Sequence, residues 1–444
     1  MPCSALSNSV KKISSILVNV CRIILAVTLI LSGFVKAIDP LGTQYKIQDY
    51  LSALSLPGLL PEWAALTLSI LLSALEFCLG VFLLMAIHRR TVSRLTLLLM
   101  AFMTVVSVWL WIANPVSDCG CFGDAIHLTN GQTLLKNVVL LLAAIVVCRY
   151  PLRMVRFISK TNQNIVINYT AIFIVAVSLY CLYALPLFDF RPYHVGADIR
   201  KGMEIPDTEE QPQFETTFIL EKDGVRKEFT LADYPDSTWT FIDSKTVMTM
   251  EGYVPPIHDF SIERIDTGDD ITEEVLADTS YTFLLISPML EKASDSDFGD
   301  IDQVYEYCQD NGYAFYCLTS SDDSGIERWR DLTGAEYPFC TCDATTLKTI
   351  IRSNPGLLLL RDGQVVRKWS HHFLPNAEEL NAPLPQLAIG HLPKGSPLKK
   401  IAKILLWFAI PLLALTIADR LWAWTHWLRR KRKKEESPQS PENP

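Results

Sequence analysis

Two cysteines separated by one glycine stand in Asp118-Cys119-Gly120-Cys121-Phe122-Gly123-Asp124, between two long apolar stretches. Thiols at this spacing have three chemistries open to them. They can close a small disulfide, since glycine permits the tight turn, and strain in so small a ring makes it easy to reduce. The bridge can instead only pin the loop, or the two thiolates can hold a soft ion such as Cu(I). Flanking Asp118 and Asp124 disfavour a thiolate, which points to a redox pair that waits for a partner. Cys340-Thr341-Cys342 repeats the spacing. It offers either a secondary pair that relays to Cys119 and Cys121 or a structural bridge, local or drawn from Cys308 and Cys317.

Charged residues inside apolar stretches are the second signal. A charge near mid-bilayer costs on the order of 3 kcal/mol on insertion scales, so Arg22 and Glu76 call for partners. Counted from the same membrane face at 1.5 Å per residue, their depths differ by less than about 10 Å, which predicts an Arg22–Glu76 charge pair. Such a pair either packs two helices or leaves Glu76 to carry protons or contact a quinone. Lys36 and Asp39 fall at the membrane edge, where snorkelling accounts for them. Cys21, Cys78, Cys148 and Cys181 lie in or at the ends of spans and read as small packing residues. His371 and His372 point apart in an extended chain, so no metal site is expected there. Walker, Rossmann, HExxH and haem-attachment motifs are absent, so no cofactor is identified beyond the candidate quinone.

The elements that must position these residues are mostly membrane helices. Of 444 residues, 49% are hydrophobic, and they are clumped into runs long enough to span a bilayer. The expected spans are Ile16–Val35, Trp63–Ile87, Leu95–Ala113, Leu134–Val147, Ile165–Leu185 and Ile401–Ile417. Each is a helix, because lipid offers no partner to backbone groups. Lys11 and Lys12 precede the first span without a cleavage site after it, so it reads as an anchor rather than a signal peptide. Lys11, Lys12, Arg89, Arg90, Arg94, Arg149, Arg153, Arg156, Lys160 and the run Arg429–Lys434 all fall on one side. The positive-inside bias then places both termini in the cytoplasm of a bacterial inner membrane. The formal charge of −8 comes mostly from the block between Asp198 and Asp343. The basic tail is a contact for lipid headgroups, and nucleic acid is not an expected partner.

That acidic block alternates strand and helix signals. Asp223-Gly224 and Thr267-Gly268-Asp269-Asp270 predict hairpins, the second between Asp259–Ile265 and Ile271–Leu276. Thr282–Ile286 reads as a buried strand, Ile301–Asn311 as a helix stopped by Gly312, and Tyr313–Leu318 as a strand. Gly325–Leu332 and Ala344–Arg352 read as helices, followed by Asn354-Pro355 and a hairpin about Asp362-Gly363. This order resembles the thioredoxin-like fold over about Ile257 to Trp369, and the resemblance implies a cis-proline at Pro355 beside an active site. Where that family carries Cys-x-x-Cys, this chain reads Ser287-Pro288-Met289-Leu290, so the domain is degenerate.

The membrane part resembles the MauE and DoxX-like family through Arg22, Gly33, Lys36, Asp39-Pro40, Glu76 and the Cys119–Asp124 loop. The fold expected is thus an α-helical polytopic membrane domain, a four-helix bundle plus two further spans, with an α/β thioredoxin-like extracytoplasmic domain. The expected boundaries are residues 1–160 for the bundle, 161–188 for a fifth helix and 189–256 for a β-rich segment. The thioredoxin-like domain takes 257–375, a linker 376–400, a sixth helix 401–427, and a basic then disordered tail 428–444. The resemblance implies extracytoplasmic thiol–disulfide handling, or redox-linked maturation of exported proteins, with an exported thiol-containing protein as partner. The alternative is a non-catalytic membrane scaffold that presents the degenerate domain for binding.

Overall fold

The computed structural model describes residues 2–114, 120–206, 208–209, 213–222, 225–230, 239–250, 252–395 and 397–436. It divides into one unit of residues 1–191 with 393–444 and another of residues 192–392. The first contains α1 (Pro2–Ile38), α2 (Pro40–Ala53), α3 (Glu62–Met85), α4 (Arg89–Ala113), α5 (Asn130–Arg149), α6 (Gln163–Tyr183) and a last helix, Pro397–Glu436. All but α2 are long and apolar enough to cross a membrane. The chain is a membrane protein, and exposed side chains such as Leu98, Ile112, Leu135, Ile172 and Trp407 are faces for lipid tails.

Glycine sets how closely α1 and α3 approach. A Cβ on Gly33 would lie 2.4 Å from the Phe77 nitrogen, and one on Gly80 2.8 Å from the Ile30 nitrogen. Small residues let helix backbones meet in a membrane, where apolar burial alone does not bring helices together. These contacts fix an antiparallel register in which Gly33 is level with Ser73 and Phe77, and Gly80 with Ala26 and Ile30.

The sequence reading passed over α2. Asp39 caps it by accepting from the Gly42 nitrogen at 2.9 Å, and Pro40 opens its first turn, a preferred start for a helix. Ser69 of α3 donates to the Pro40 carbonyl at 2.7 Å and holds α2 against the bundle. At the other end of the bundle Asp419 of the last helix accepts from Ser159 N and Oγ (2.7 and 2.6 Å) and from Asn162 at 2.7 Å. Tyr169 of α6 stacks on Phe408 of the last helix at 5.7 Å.

The second unit begins with α7 (Ile199–Met203) and the strands β1 (Gln213–Lys222), β2 (Val225–Thr230) and β3 (Thr240–Met250). These form an antiparallel sheet in the order β2-β1-β3. The expected hairpin is thus present, although its turn, Asp223-Gly224, lies outside the described residues. Next come β4 (Glu263–Arg264), α8 (Thr272–Ala277), β5 (Thr282–Ser287), α9 (Phe298–Asn311), β6 (Ala314–Thr319) and α10 (Asp323–Thr333). The unit closes with β7 (Phe339–Thr341), α11 (Ala344–Ile350), β8 (Gly356–Arg361) and β9 (Gln364–Ser370). The sheet order is β4-β7-β6-β5-β8-β9, with β5 parallel to β6 and antiparallel to β8, and β8 antiparallel to β9. With a cis peptide between Asn354 and Pro355 just before β8, this is the thioredoxin-like arrangement. Every residue of β5 is buried, as a central strand covered on both faces requires. Phe283, Leu285, Val304, Cys308, Trp329 and Tyr337 are among the side chains that fill the core.

Two expectations are corrected here, and one strand is added. The second arm of the Thr267–Asp270 hairpin is not a strand but α8. Asp270 accepts from the nitrogen and hydroxyl of Thr272 (2.9 and 2.5 Å), and such a local bond turns the chain. Glu273 and Glu274 then favour a first helical turn. Residues 376–392 are not a linker: Leu380 and Leu384 are buried in the core, Tyr307 donates to the Ala382 carbonyl at 2.7 Å, and Tyr281 to that of Gly390 at 3.0 Å. Strand β7, which carries Cys340, has no counterpart among the expected elements, because three residues show no periodicity. The tail beyond residue 436 lies outside the described residues.

Gly33→Ala is expected to destabilise the membrane unit by about 1–3 kcal/mol, as overpacking does. Gly299→Ala, where an added Cβ meets nothing within 4 Å, is expected to leave stability unchanged or slightly raised. Thermal unfolding of the purified protein in detergent compares the two.

Candidate functional site

Ser32 and Lys36 are four residues apart on α1 and so share one face. The α1–α3 register brings that face against Glu76. Lys36 Nζ lies 2.7 and 2.9 Å from the two Glu76 carboxylate oxygens, and Ser32 Oγ lies 2.7 Å from Oε2. All three side chains are buried. An apolar environment strengthens attraction between opposite charges and makes either charge alone costly.

The cysteine loop sits on this pair. Ser32 Oγ is also 2.8 Å from the Cys121 carbonyl oxygen, so a single hydroxyl proton stands between a carboxylate and a backbone acceptor. Gly120 and Gly123 both have positive φ (60° and 52°), conformations that favour glycine. Gly120 lies against the aliphatic chain of Lys46 and Gly123 against Val35. Lys136 of α5 stands over the Phe122 ring at 4.4 Å. Cys121 is half-buried at a cavity of about 30 Å³ that Ser32, Lys36, Glu76, Met100 and Met103 also line, a space of about one water molecule. Asp118 and Cys119 lie outside the described residues.

The expected Arg22–Glu76 pair is not formed. Arg22 donates to the Val155 carbonyl at 2.6 Å and lies over the Phe157 ring at 5.3 Å, where it fastens the segment after α5. The glycine register is the reason. Gly80 is level with Ala26 and Ile30, so Arg22 falls near the end of α3, about two turns or more from Glu76. Lys36, read as an interfacial residue, is the true partner. The signal that could have found it was the i, i+4 spacing of Ser32 and Lys36 on a helix facing a span with one carboxylate.

In the second unit, Ser287 donates to Asn354 Oδ1 at 2.7 Å, and Asn354 Nδ2 donates to the Met289 carbonyl at 2.9 Å. The loop Ser287–Leu290 is thereby held beside cis-Pro355 with no thiol in it. Cys308, Cys317, Cys340 and Cys342 are buried free thiols, so the expected structural bridge among them is not formed. Burial pushes the Cys340 and Cys342 thiols up to about 12 and raises those of Cys308 and Cys317 too. A thiolate is the attacking species in disulfide exchange, so this secondary pair is ill suited to a relay.

His371 and His372 do not point apart. They form a short 3-10 turn after β9, Asp297 beside them, with their rings 3.8 Å apart.

Comparison with known proteins is consistent with this division. Residues 14–150 match the family described as methylamine utilisation protein MauE, and residues 214–251 match a domain of unknown function, DUF8463. No curated protein matches the chain. Among solved structures, a candidate protein disulfide isomerase from Bacteroides thetaiotaomicron is 16% identical, with a TM-score of 0.22, over 26% of this chain and 76% of its own. An uncharacterised conserved protein from Geobacillus kaustophilus is 14% identical, with a TM-score of 0.24, over 31% of this chain and 83% of its own.

Replacing one member of the buried pair, by Glu76→Gln or Lys36→Met, is expected to cost about 3–5 kcal/mol. The double variant Lys36→Met/Glu76→Leu is expected to cost less than the sum of the single ones, and melting of the purified proteins measures both. Cys340 and Cys342 titrate near 9 when unfolded and at about 12 when folded. Above pH 9 the unfolded chain therefore holds fewer protons, and stability falls as pH rises through the window from 9 to 12. Native-state alkylation at neutral pH should leave both thiols unlabelled, and labelling of the folded protein would contradict their burial.

Proposed function

We propose that the chain is a membrane component of extracytoplasmic thiol–disulfide handling, in which Cys119 and Cys121 exchange with an exported thiol-containing protein. The observation that carries this reading is the bond between the Cys121 carbonyl and Ser32, whose hydroxyl also meets the carboxylate of the Lys36–Glu76 pair. A loop that only needed pinning has no use for a buried ion pair beneath it. The MauE match over residues 14–150 supports a redox-linked role in maturation of exported proteins.

The exchange balances as follows. A partner thiolate attacks one sulfur of the Cys119–Cys121 disulfide, and the other sulfur leaves as a thiolate. The partner's second thiol, once deprotonated, attacks the mixed disulfide. The partner is oxidised to a disulfide, and Cys119 and Cys121 hold two electrons as thiols after taking up two protons. A membrane quinone is the acceptor that restores the disulfide, taking both electrons and both protons. Glu76 and Ser32 lie beside the loop where protons must enter or leave. Lys46 and Lys136 add positive charge around it, which favours thiolates. The excess of Lys and Arg beyond the far ends of α3 and α5 supports an inner-membrane orientation with this loop outside and both termini in the cytoplasm.

A scaffold is the second reading, favoured by the thiol-free Ser287–Leu290 loop of the external domain. Acid quenching in cells followed by mass-tagged alkylation separates the two. Cys119 and Cys121 are expected to be partly reduced, and Cys121→Ser or Cys119→Ser is expected to trap a mixed disulfide with another protein. A bridge that stays fully oxidised, with both single variants functional, would leave the scaffold.

A further inference from the structure

We propose that Asp297, His371 and His372 form a binding site for one divalent transition metal of the kind that imidazole and carboxylate share, with zinc as its simplest occupant. One ligand atom from each of the three side chains lies within 4.8 Å of the others. A tetrahedral zinc with bonds of about 2.0–2.2 Å needs them about 3.3 Å apart. Small rotations of these partly exposed side chains close that difference.

The backbone turn makes the cluster. Strand β9 ends at Ser370, and the chain enters the 3-10 turn His371–Phe373 at once. In an extended strand the two imidazoles would face opposite sides, but the turn brings them to 3.8 Å. Asp297, which precedes α9, puts Oδ2 3.8 Å from His372 Nδ1, while the same oxygen accepts from Ser296 Oγ at 2.7 Å.

The proton on His371 can be placed. Ser353 Oγ donates its one hydrogen to the Pro355 carbonyl at 2.6 Å. The same oxygen must therefore accept from both His371 N at 3.2 Å and His371 Nδ1 at 2.9 Å. The hydrogen sits on Nδ1, and Nε2 carries the lone pair. Metal-bound histidines commonly have this support, the second ring nitrogen being held by a neighbouring acceptor. A simple ion pair between His372 and Asp297 would account for one imidazole. It leaves unexplained a second ring that is held through its Nδ1 and brought to 3.8 Å from the first.

The place in the fold adds meaning. Ser294 N donates to the Asn354 carbonyl at 3.0 Å, so the segment leading to Asp297 is bonded to the same cis-Pro turn that supports His371. This is the rim where the thioredoxin-like fold has lost its thiols. Three protein ligands leave a fourth position for water or for a donor group from a partner.

The test uses full-length protein in detergent carrying Cys119→Ser and Cys121→Ser, so that thiols in that loop contribute no metal binding. Zinc is titrated in competition with a chromophoric chelator. One zinc per chain is expected, with Asp297→Asn and His372→Ala each weakening it by about tenfold or more. Ser353→Ala is expected to weaken it about tenfold at unchanged stoichiometry. Cobalt in place of zinc should give a spectrum without thiolate charge transfer. Metal-free melting curves that match the parent show that the variants fold, and His372→Gln replaces His372→Ala if that one does not. No zinc bound at micromolar free metal, or equal affinity in the parent, Asp297→Asn and the His372 variant, would overturn the proposal.

Discussion

An ion pair in an apolar slab constrains everything around it. The Glu76 carboxylate is buried in α3, and Lys36 and Ser32 are groups that meet it. For Lys36 to reach it directly, α1 and α3 must run at close quarters, and only residues without a Cβ allow that at Gly33 and Gly80. Those glycines set the register, the register sets which side chains share a level, and the level decides which charge is neutralised. A one-turn slip would take Gly33 and Gly80 off their close contacts and move Ser32 and Lys36 from the levels at which both meet Glu76, so the pair and the glycines specify the same alignment from two directions.

The cysteine loop depends on that alignment as well. Its described residues form a 3-10 turn at Gly123–Ala125 and a Gly123 N to Gly120 O bond of 3.0 Å. What fastens it from below is Ser32, through the Cys121 carbonyl. Ser32 has one hydrogen and two acceptors within 2.8 Å, so the carboxylate and the loop compete for it. The position of the loop and the charge on Glu76 are therefore linked through one hydroxyl.

Much of this was legible in the sequence, and the rest was hidden for identifiable reasons. Long apolar runs announce membrane helices because lipid permits little else. Thr282–Ile286 and the Asp362-Gly363 hairpin announced themselves through an unbroken apolar run and a turn dipeptide with positive φ at both residues. Pro355 was placed by its position before the last hairpin, and it is cis. Helix α2 was missed because it is too polar to read as a span and too short to show a clear apolar face. The partner of Glu76 was missed because depth was counted from span ends. The ends of a span slide along its helix, whereas the contact level is set by two glycines whose significance appears only when the helices are paired. The two histidines were dismissed on the geometry of an extended chain, whereas the chain turns into a 3-10 helix directly after β9 ends at Ser370.

The second unit shows how a fold can be independent of the chemistry of one loop. Its stability rests on the buried residues of β5 and β8 and on side chains such as Trp329 and Tyr337, whose indole and hydroxyl bond to each other at 2.9 Å. The loop after β5 is held to Asn354 by two polar bonds, one from the Ser287 hydroxyl and one to the Met289 backbone carbonyl. A loop held in that way needs no thiol to keep its place beside the cis-Pro turn. That turn still presents a carbonyl at Pro355 and a hydroxyl at Ser353, and the hydroxyl orients His371. A rim that no longer supports dithiol exchange thus keeps the rigid backbone needed to aim other side chains at one point.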